Sequence, residues 1–263
     1  MSGIKYPLAH LPMLGKGSIL IDRLDASGNP TGYNPIGNAT KFDLDMKDDR
    51  AELYSSMNKT VTLIATALKK RQPLITITGT DFRDDVASVF LMAPGKTTIT
   101  ETALTVTAEA LVGATPTKKG KYFPTVNRNL DPTPANITVH QGVTTLVAGT
   151  DYIVVDPVEG LIYFPSTGAV VDTTAITIDY HTLAATYSQI AGGTLPMLHA
   201  RLRFVPDPSD GQKIGVEIWS VNLSPNGQIG LIADDYGNWT LEGFILDDSV
   251  NHPNSPYYLA TFY

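Results

Sequence analysis

Cysteine is absent from the 263 residues, which excludes disulfides and thiolate metal sites. Apolar runs of the roughly 18–20 residues needed to span a bilayer are absent too. Residues 1–7 lack the apolar core of a signal peptide, so no secretory leader is expected. Charge is scarce: 17% of residues are charged, with a formal net charge of −7. Proteins that grip nucleic acid through its phosphates cluster Lys and Arg, so the acidic balance argues against that class. No GxSxG elbow, Walker loop or Rossmann glycine pattern occurs. The five histidines (His10, His140, His181, His199, His252) are scattered, with no two at metal-ligand spacing. The chain therefore reads as a non-enzyme that needs no cofactor or metal.

What is present points to strands. Hydrophobic residues make up 43% of the chain, alongside 22 Gly and 18 Pro, a balance that favours a mainly β globular fold long enough for a sizeable core. Residues 1–16, interrupted by Pro7, Pro12 and two glycines, read as an N-terminal arm. Two short strands then flank the turn at 26–32. The strand from Lys41 to Lys47 alternates, with Phe42, Leu44 and Met46 on a dry face and Lys41, Asp43, Asp45 and Lys47 on a wet one. The charged stretch that follows, 48–59, reads as a loop. Strands are expected over 60–68 and 73–79.

Phe82, Val86, Val89, Phe90 and Ala93 form one apolar stripe at helical spacing. This predicts a helix over 82–92 capped by Asp81, with Asp84 and Asp85 in its first turn and Pro94-Gly95 as its stop. A lone helix among strands most simply covers one face or end of a sheet. Residues 99–112 return to strand character. Residues 116–121 and 124–134 read as linkers, and the short apolar runs 137–139, 151–155, 160–164 and 175–180 predict a small β-sandwich. The main fold resumes with the alternation of Leu198, Ala200, Leu202 and Phe204. The turn Pro225-Asn226-Gly227, then 229–233 and 239–246, complete a meander. The division expected is an arm (1–16), a main β-domain (17–113 with 194–248), an inserted domain (114–193) and a tail (249–263).

The carboxylate pairs Asp48/Asp49, Asp84/Asp85, Asp234/Asp235 and Asp247/Asp248 fall at turns and element ends, where solvation explains them better than acid–base chemistry. A calcium reading of residues 234–238 does not fit the EF-hand spacing.

Several segments together resemble the tail tube (major tail) proteins of long-tailed bacteriophages. They are residues 17–32 (GSILIDRLDASGNPTG) with Pro35-Ile36-Gly37-Asn38, and the acidic alternating strand followed by Leu53-Tyr54-Ser55-Ser56-Met57. The helix at 82–92 among strands is another. The last is Val216-Glu217-Ile218-Trp219-Ser220-Val221 with Leu231-Ile232-Ala233-Asp234-Asp235 and Trp239-Thr240-Leu241-Glu242-Gly243. The resemblance covers residues 15–112 and 198–248; the insert departs from the minimal pattern.

The resemblance implies a tail-tube-type β-sandwich or barrel with one flanking helix, assembled as stacked hexameric rings around a channel for genome DNA. At about 24 strands, roughly 4.8 Å apart and tilted by roughly 45°, the barrel would be about 50 Å across, wide enough for a duplex. Implied partners are further copies of the chain, the tape measure, the baseplate or tail tip, the terminator and, where the tail has one, a sheath. DNA passes without specific binding and no membrane is involved. The implied location is the virion tail, built in the host cytoplasm. An electronegative lumen repels DNA along its length, and Lys41, Asp43, Asp45 and Glu101 are the expected lumen residues. Asp48, Asp49, Arg50, Glu52 and Tyr54 in the charged loop, with Tyr257, Tyr258, Phe262 and Tyr263 in the tail, are the expected contacts between subunits or rings. The alternative is a carbohydrate-binding or adhesin-type β-sandwich that binds through Tyr152, Tyr163 and Tyr180.

Overall fold

The computed structural model describes residues 14–57, 59–232 and 234–263, so most of the expected arm lies outside the described residues. In chain order the strands begin with β1 (Gly17–Arg23), β2 (Asn34–Pro35), β3 (Ala39–Ser55) and β4 (Thr62–Gly79), followed by helix α1 (Asp84–Phe90). Next come β5 (Thr97–Glu101), β6 (Thr105–Val112), β7 (Lys121–Pro124), β8 (Ile137–Gln141), β9 (Thr144–Thr145), β10 (Ile153–Asp156), β11 (Leu161–Phe164), β12 (Ile176–His181) and β13 (Ala185–Gln189). The last four are β14 (Leu198–Pro206), β15 (Ile214–Pro225), β16 (Trp239–Ile245) and β17 (Tyr258–Phe262). The architecture is mainly β, built of antiparallel sheets with one α-helix, and no sheet closes into a barrel among the described residues.

Two compact units share the chain. One takes the residues up to Lys96 together with Ile190–Tyr263; the other is Thr97–Gln189. The first is an eight-stranded sheet in the order β2-β1-β14-β15-β16-β4-β3. Strand β15 is long enough to take two neighbours along its outer side. Ile214 to Ile218 pair with β17 and Val221 to Pro225 pair with β16. Alternation drives the packing: Ile19 and Ile21, Leu198, Ala200 and Leu202, and Ile75 and Ile77 fall into one buried cluster. Helix α1 adds Val86, Val89 and Phe90 to that cluster, with the Phe90 ring stacked on Trp239 at 5.4 Å between centroids. It covers the sheet as its apolar stripe predicts.

The helix is shorter than expected, and Asp81 does not cap it. Its carboxylate is taken by Arg83 instead, accepting from the Arg83 backbone N–H at 3.0 Å and from Nε at 2.9 Å. Phe82, which the stripe places inward, is 41% exposed and meets Phe90 edge-on.

The second unit is a small β-sandwich. Sheets β10-β11-β7 and β6-β12-β8-β9 contribute Ile162, Phe164, Val139, Ile176, Ile178 and Tyr180 to one core. It begins earlier than the expected boundary at residue 114. Residues 105–112 form β6 against β12, and β5 pairs with β13, so Thr97 opposes Gln189. The expected linkers belong to this sandwich: residues 121–124 are a strand, Leu130 is buried, and Lys118 is fully covered, with Nζ donating to the Ala114, Pro116 and Asp172 carbonyls.

Candidate interaction surface

The expected loop at 48–59 is mostly strand. Beyond Asp45 and Leu74 the two strands β3 and β4 stay paired out to Ser55 and Thr62. The change of character falls at Pro73. Strand β16 stops at Leu74, and Pro73, which has no N–H to give, follows where a third strand would need one. From there β4 is exposed through every residue from Thr62 to Arg71. Charges did not end the strand because a two-stranded ribbon has two wet faces and can seat them anywhere. Asp48 opposes Arg71 across the ladder, with Arg71 Nε 3.0 Å from its carboxylate. Arg71, then Arg50, hold the Asp48 carboxyl below the usual range, and Asp48 raises Arg71 in turn. The Tyr54 hydroxyl donates to Glu52, which pushes the phenol up.

The composition of this ribbon is unusual for something in water. Leu53 and Tyr54, on opposite faces of one strand, are 58% and 51% exposed. Val61, Leu63, Ile64 and Leu68 are at least half exposed. Neither face therefore carries a polar coat towards the tip. An isolated two-stranded ribbon is marginal in water, and contiguous exposed apolar surface marks a place for a partner.

Asp43 and Asp45 lie at the base of this ribbon. Phe42 and Leu44 pack on the core, leaving Lys41, Asp43 and Asp45 exposed on the opposite face. There Lys41 pairs with Asp43 at 2.9 Å and Lys47 with Asp45 at 3.6 Å. Glu101 is not brought to them on this sheet. It sits on β5 in the second unit, accepting a 2.6 Å hydrogen bond from the Tyr187 hydroxyl.

The C-terminal residues are less available than expected. Residues 258–262 form β17 on β15, and Tyr257 and Tyr258 pack against the main core. Trp219 holds the preceding segment: its ring stacks on His252 at 3.8 Å, and Nε1 donates to the Ser255 carbonyl at 2.7 Å. Only Phe262 and Tyr263 of the four expected contacts are largely exposed. Of the tyrosines considered for sugar binding, Tyr152 and Tyr180 are core residues. The Tyr152 hydroxyl donates to the Ile137 carbonyl, and that of Tyr180 to Glu109. Tyr163 lies beside the exposed Tyr122, ring centroids 4.6 Å apart.

A second feature was not legible in the sequence. A strand is expected over residues 229–233, yet among the described residues the connection between β15 and β16 contains none, and Leu231, Ile232 and Tyr236 are 90%, 99% and 92% exposed. Asp234 and Asp235 lie among them.

A cavity of about 390 Å³ is lined by His199, Arg201, Trp219, Ser220, Asp248 and His252. His199 Nε2 lies 2.8 Å from Ser220 Oγ, a serine–histidine contact that catalysis would complete with a carboxylate on the other ring nitrogen. The nearby carboxylates are committed elsewhere, Asp22 to Arg201 and Asp248 to His252. Among the described residues no group of three or more His, Asp or Glu is placed to hold a metal ion.

No curated protein matches the sequence. A family model matches residues 12–258, nearly the whole chain and both units. On that match the chain belongs to the family described as Protein of unknown function UCP028589.

Proposed function

We propose that this chain is a structural subunit that assembles with copies of itself into stacked rings, forming a tube with an electronegative channel for DNA in transit. The observation that carries the reading is the outer half of the β3–β4 hairpin, a ribbon on the order of 30 Å long that exposes apolar residues on both faces. Such an element is marginal in water by itself, and cover on its two faces would stabilise it. Copies of the same chain supply that cover in a symmetric assembly. The resemblance of residues 15–112 and 198–248 to phage tail tube proteins supports the same reading. A glycan-binding module has less support, since two of its three tyrosines are in the core.

Within this reading Asp43 and Asp45, on the exposed face of β3, line the channel. Electron microscopy of the purified protein over a concentration series tests the assembly. Rings or tubes with a central hole are expected, and monodisperse monomers at every concentration would overturn it. Replacing Asp43 and Asp45 with Lys should slow DNA release from particles; unchanged release would remove the channel assignment.

A further inference from the structure

We infer that the space between β1, β2 and helix α1 is a binding site for a small carboxylate carrying a short apolar tail. The starting point is an alternation that ends on a charge. Ile19 and Ile21 point from β1 into the core, and the period of two puts Arg23 on the same face. An arginine therefore stands where a third apolar side chain is expected. Its Nη1 donates to the Ala93 carbonyl at 2.9 Å and its Nη2 to Ser88 Oγ, which leaves part of its five-donor fork unused. Among the described residues Arg23 makes no ion pair. Asp85, the carboxylate that acts on it, lies 3.9 Å from Arg83. Burial, only partly offset by Asp85, holds the guanidinium below its usual range. A half-buried cation without a counter-ion is unfavourable, and an anion beside it would relieve that.

Beside Arg23 lies a cavity of about 250 Å³. Its inner wall is apolar, formed by Ile21, Ile36, Val86 and Val89, all buried. Asn34 and Lys96, both exposed, line its outer part. The charged groups that line it are Arg23, Lys96 and Asp85, so cations outnumber anions. An apolar wall with a few convergent polar groups is the usual make-up of a small-molecule site. The guanidinium fork matches a carboxylate, and the apolar wall gives a bare inorganic anion nothing to bind. At about 30 Å³ for each water-sized group, the cavity holds roughly eight non-hydrogen atoms, as many as hexanoate has.

The test is a titration of the dilute protein followed through the methyl resonances of Ile21, Ile36, Val86 and Val89. The probes are hexanoate, hexanol, hexylammonium and inorganic phosphate. Hexanoate should move those resonances with a dissociation constant on the order of 1 mM, within the reach of so small a ligand. Hexanol should bind about tenfold more weakly, the effect of losing one hydrogen bond to a charged group. Hexylammonium and phosphate should leave the resonances in place. Arg23→Gln should lower the affinity for hexanoate to that for hexanol and leave hexanol binding unchanged, which a loss of folding would not mimic. Asn34→Trp, at an exposed position, should block hexanoate with Tm unchanged.

Equal affinities for hexanoate and hexanol would overturn the assignment, as would phosphate binding as tightly as hexanoate. Resonances that none of the probes moves, or hexanoate binding that survives Asn34→Trp, would overturn it too. If Arg23→Gln fails to fold, the comparison of hexanoate with hexanol and the Asn34→Trp variant decide the matter. None of these outcomes involves assembly, so the site stands or falls apart from the tube.

Discussion

Asp22 and Arg201 face each other across the β1–β14 ladder, and the Asp22 side chain has no exposed surface. Its carboxylate accepts from Arg201 Nε at 3.1 Å and from the Thr31 and Gly32 backbone N–H groups at 2.9 and 2.8 Å. One side chain thereby ties the sheet to the Gly/Asn/Pro turn that precedes β2, and Arg201 also lies over the Tyr33 ring at 5.3 Å. Burial alone would raise the carboxyl, but the Arg201 bond and the turn amides outweigh it and leave it below its usual range.

The first prediction follows from that pair. Asp22→Asn leaves the Arg201 charge half-buried without its partner, which costs about 3 kcal/mol and lowers Tm by roughly 6–12 °C. A depressed carboxyl stabilises the fold above its unfolded pKa of about 3.9, and that contribution is lost as pH falls through the lower folded value. The gap between wild type and variant should therefore be full at pH 7 and narrow markedly below about pH 4. Melts monitored by circular dichroism across that range check it; a gap independent of pH would show that Asp22 acts by shape alone.

The second prediction separates folding from assembly. Leu63→Asp with Leu68→Asp changes residues at least half exposed, so unfolding should move by no more than about 0.5 kcal/mol. Polymerisation followed by light scattering should nevertheless be lost. Residues 47–72 carry six Lys and Arg against three Asp and Glu in a chain of net charge −7, so wild-type polymerisation should also slow as salt rises from about 0.05 to 0.5 M, where the screening length falls well below 10 Å. A variant that melts early would instead mean the ribbon packs on its own subunit.

Much of the architecture was readable because burial on one side imposes a period. Leu198, Ala200 and Leu202 alternate into the core as their spacing predicts, and the runs at 137–139 and 160–164 are sandwich strands. The ribbon departs from its expected loop for the complementary reason. With both faces wet, Asp48, Asp49, Arg50 and Glu52 broke the alternation without breaking the strand. Leu231 and Ile232 mislead in the other direction: they look like strand core, but no strand among the described residues covers them. Local pattern records whether a side chain prefers cover, not whether its own chain or a partner supplies it. That is why the fold was more legible than the candidate contacts.

The third prediction concerns the second unit. The Tyr180 hydroxyl, in the core, donates to Glu109 and accepts from Asn127 Nδ2 at 2.9 Å. Tyr180→Phe strands those partners and should cost about 2 kcal/mol, read as a lower urea midpoint. Tyr163→Phe, on the exposed side of its sheet beside Tyr122, should stay within about 0.5 kcal/mol. Equal effects would mean that Tyr163 is also a packing residue.

The last prediction tests whether the C-terminal residues serve the subunit or its neighbours. Ending the chain after Leu246 removes β17, the His252 ring stacked on Trp219, and the contacts of Tyr257 and Tyr258 with the core. Losing the cover of those aromatic groups should cost on the order of 3 kcal/mol, so the truncated protein should melt well below the full chain even as a dilute monomer. Phe262→Ala with Tyr263→Ala should leave the monomer's Tm unchanged, because both side chains are more than half exposed. Any loss of assembly in that double variant is then a loss of contact between copies. A truncation that keeps its Tm but fails to assemble would return the whole segment to the interface, with β17 an accessory strand that the sheet does not need.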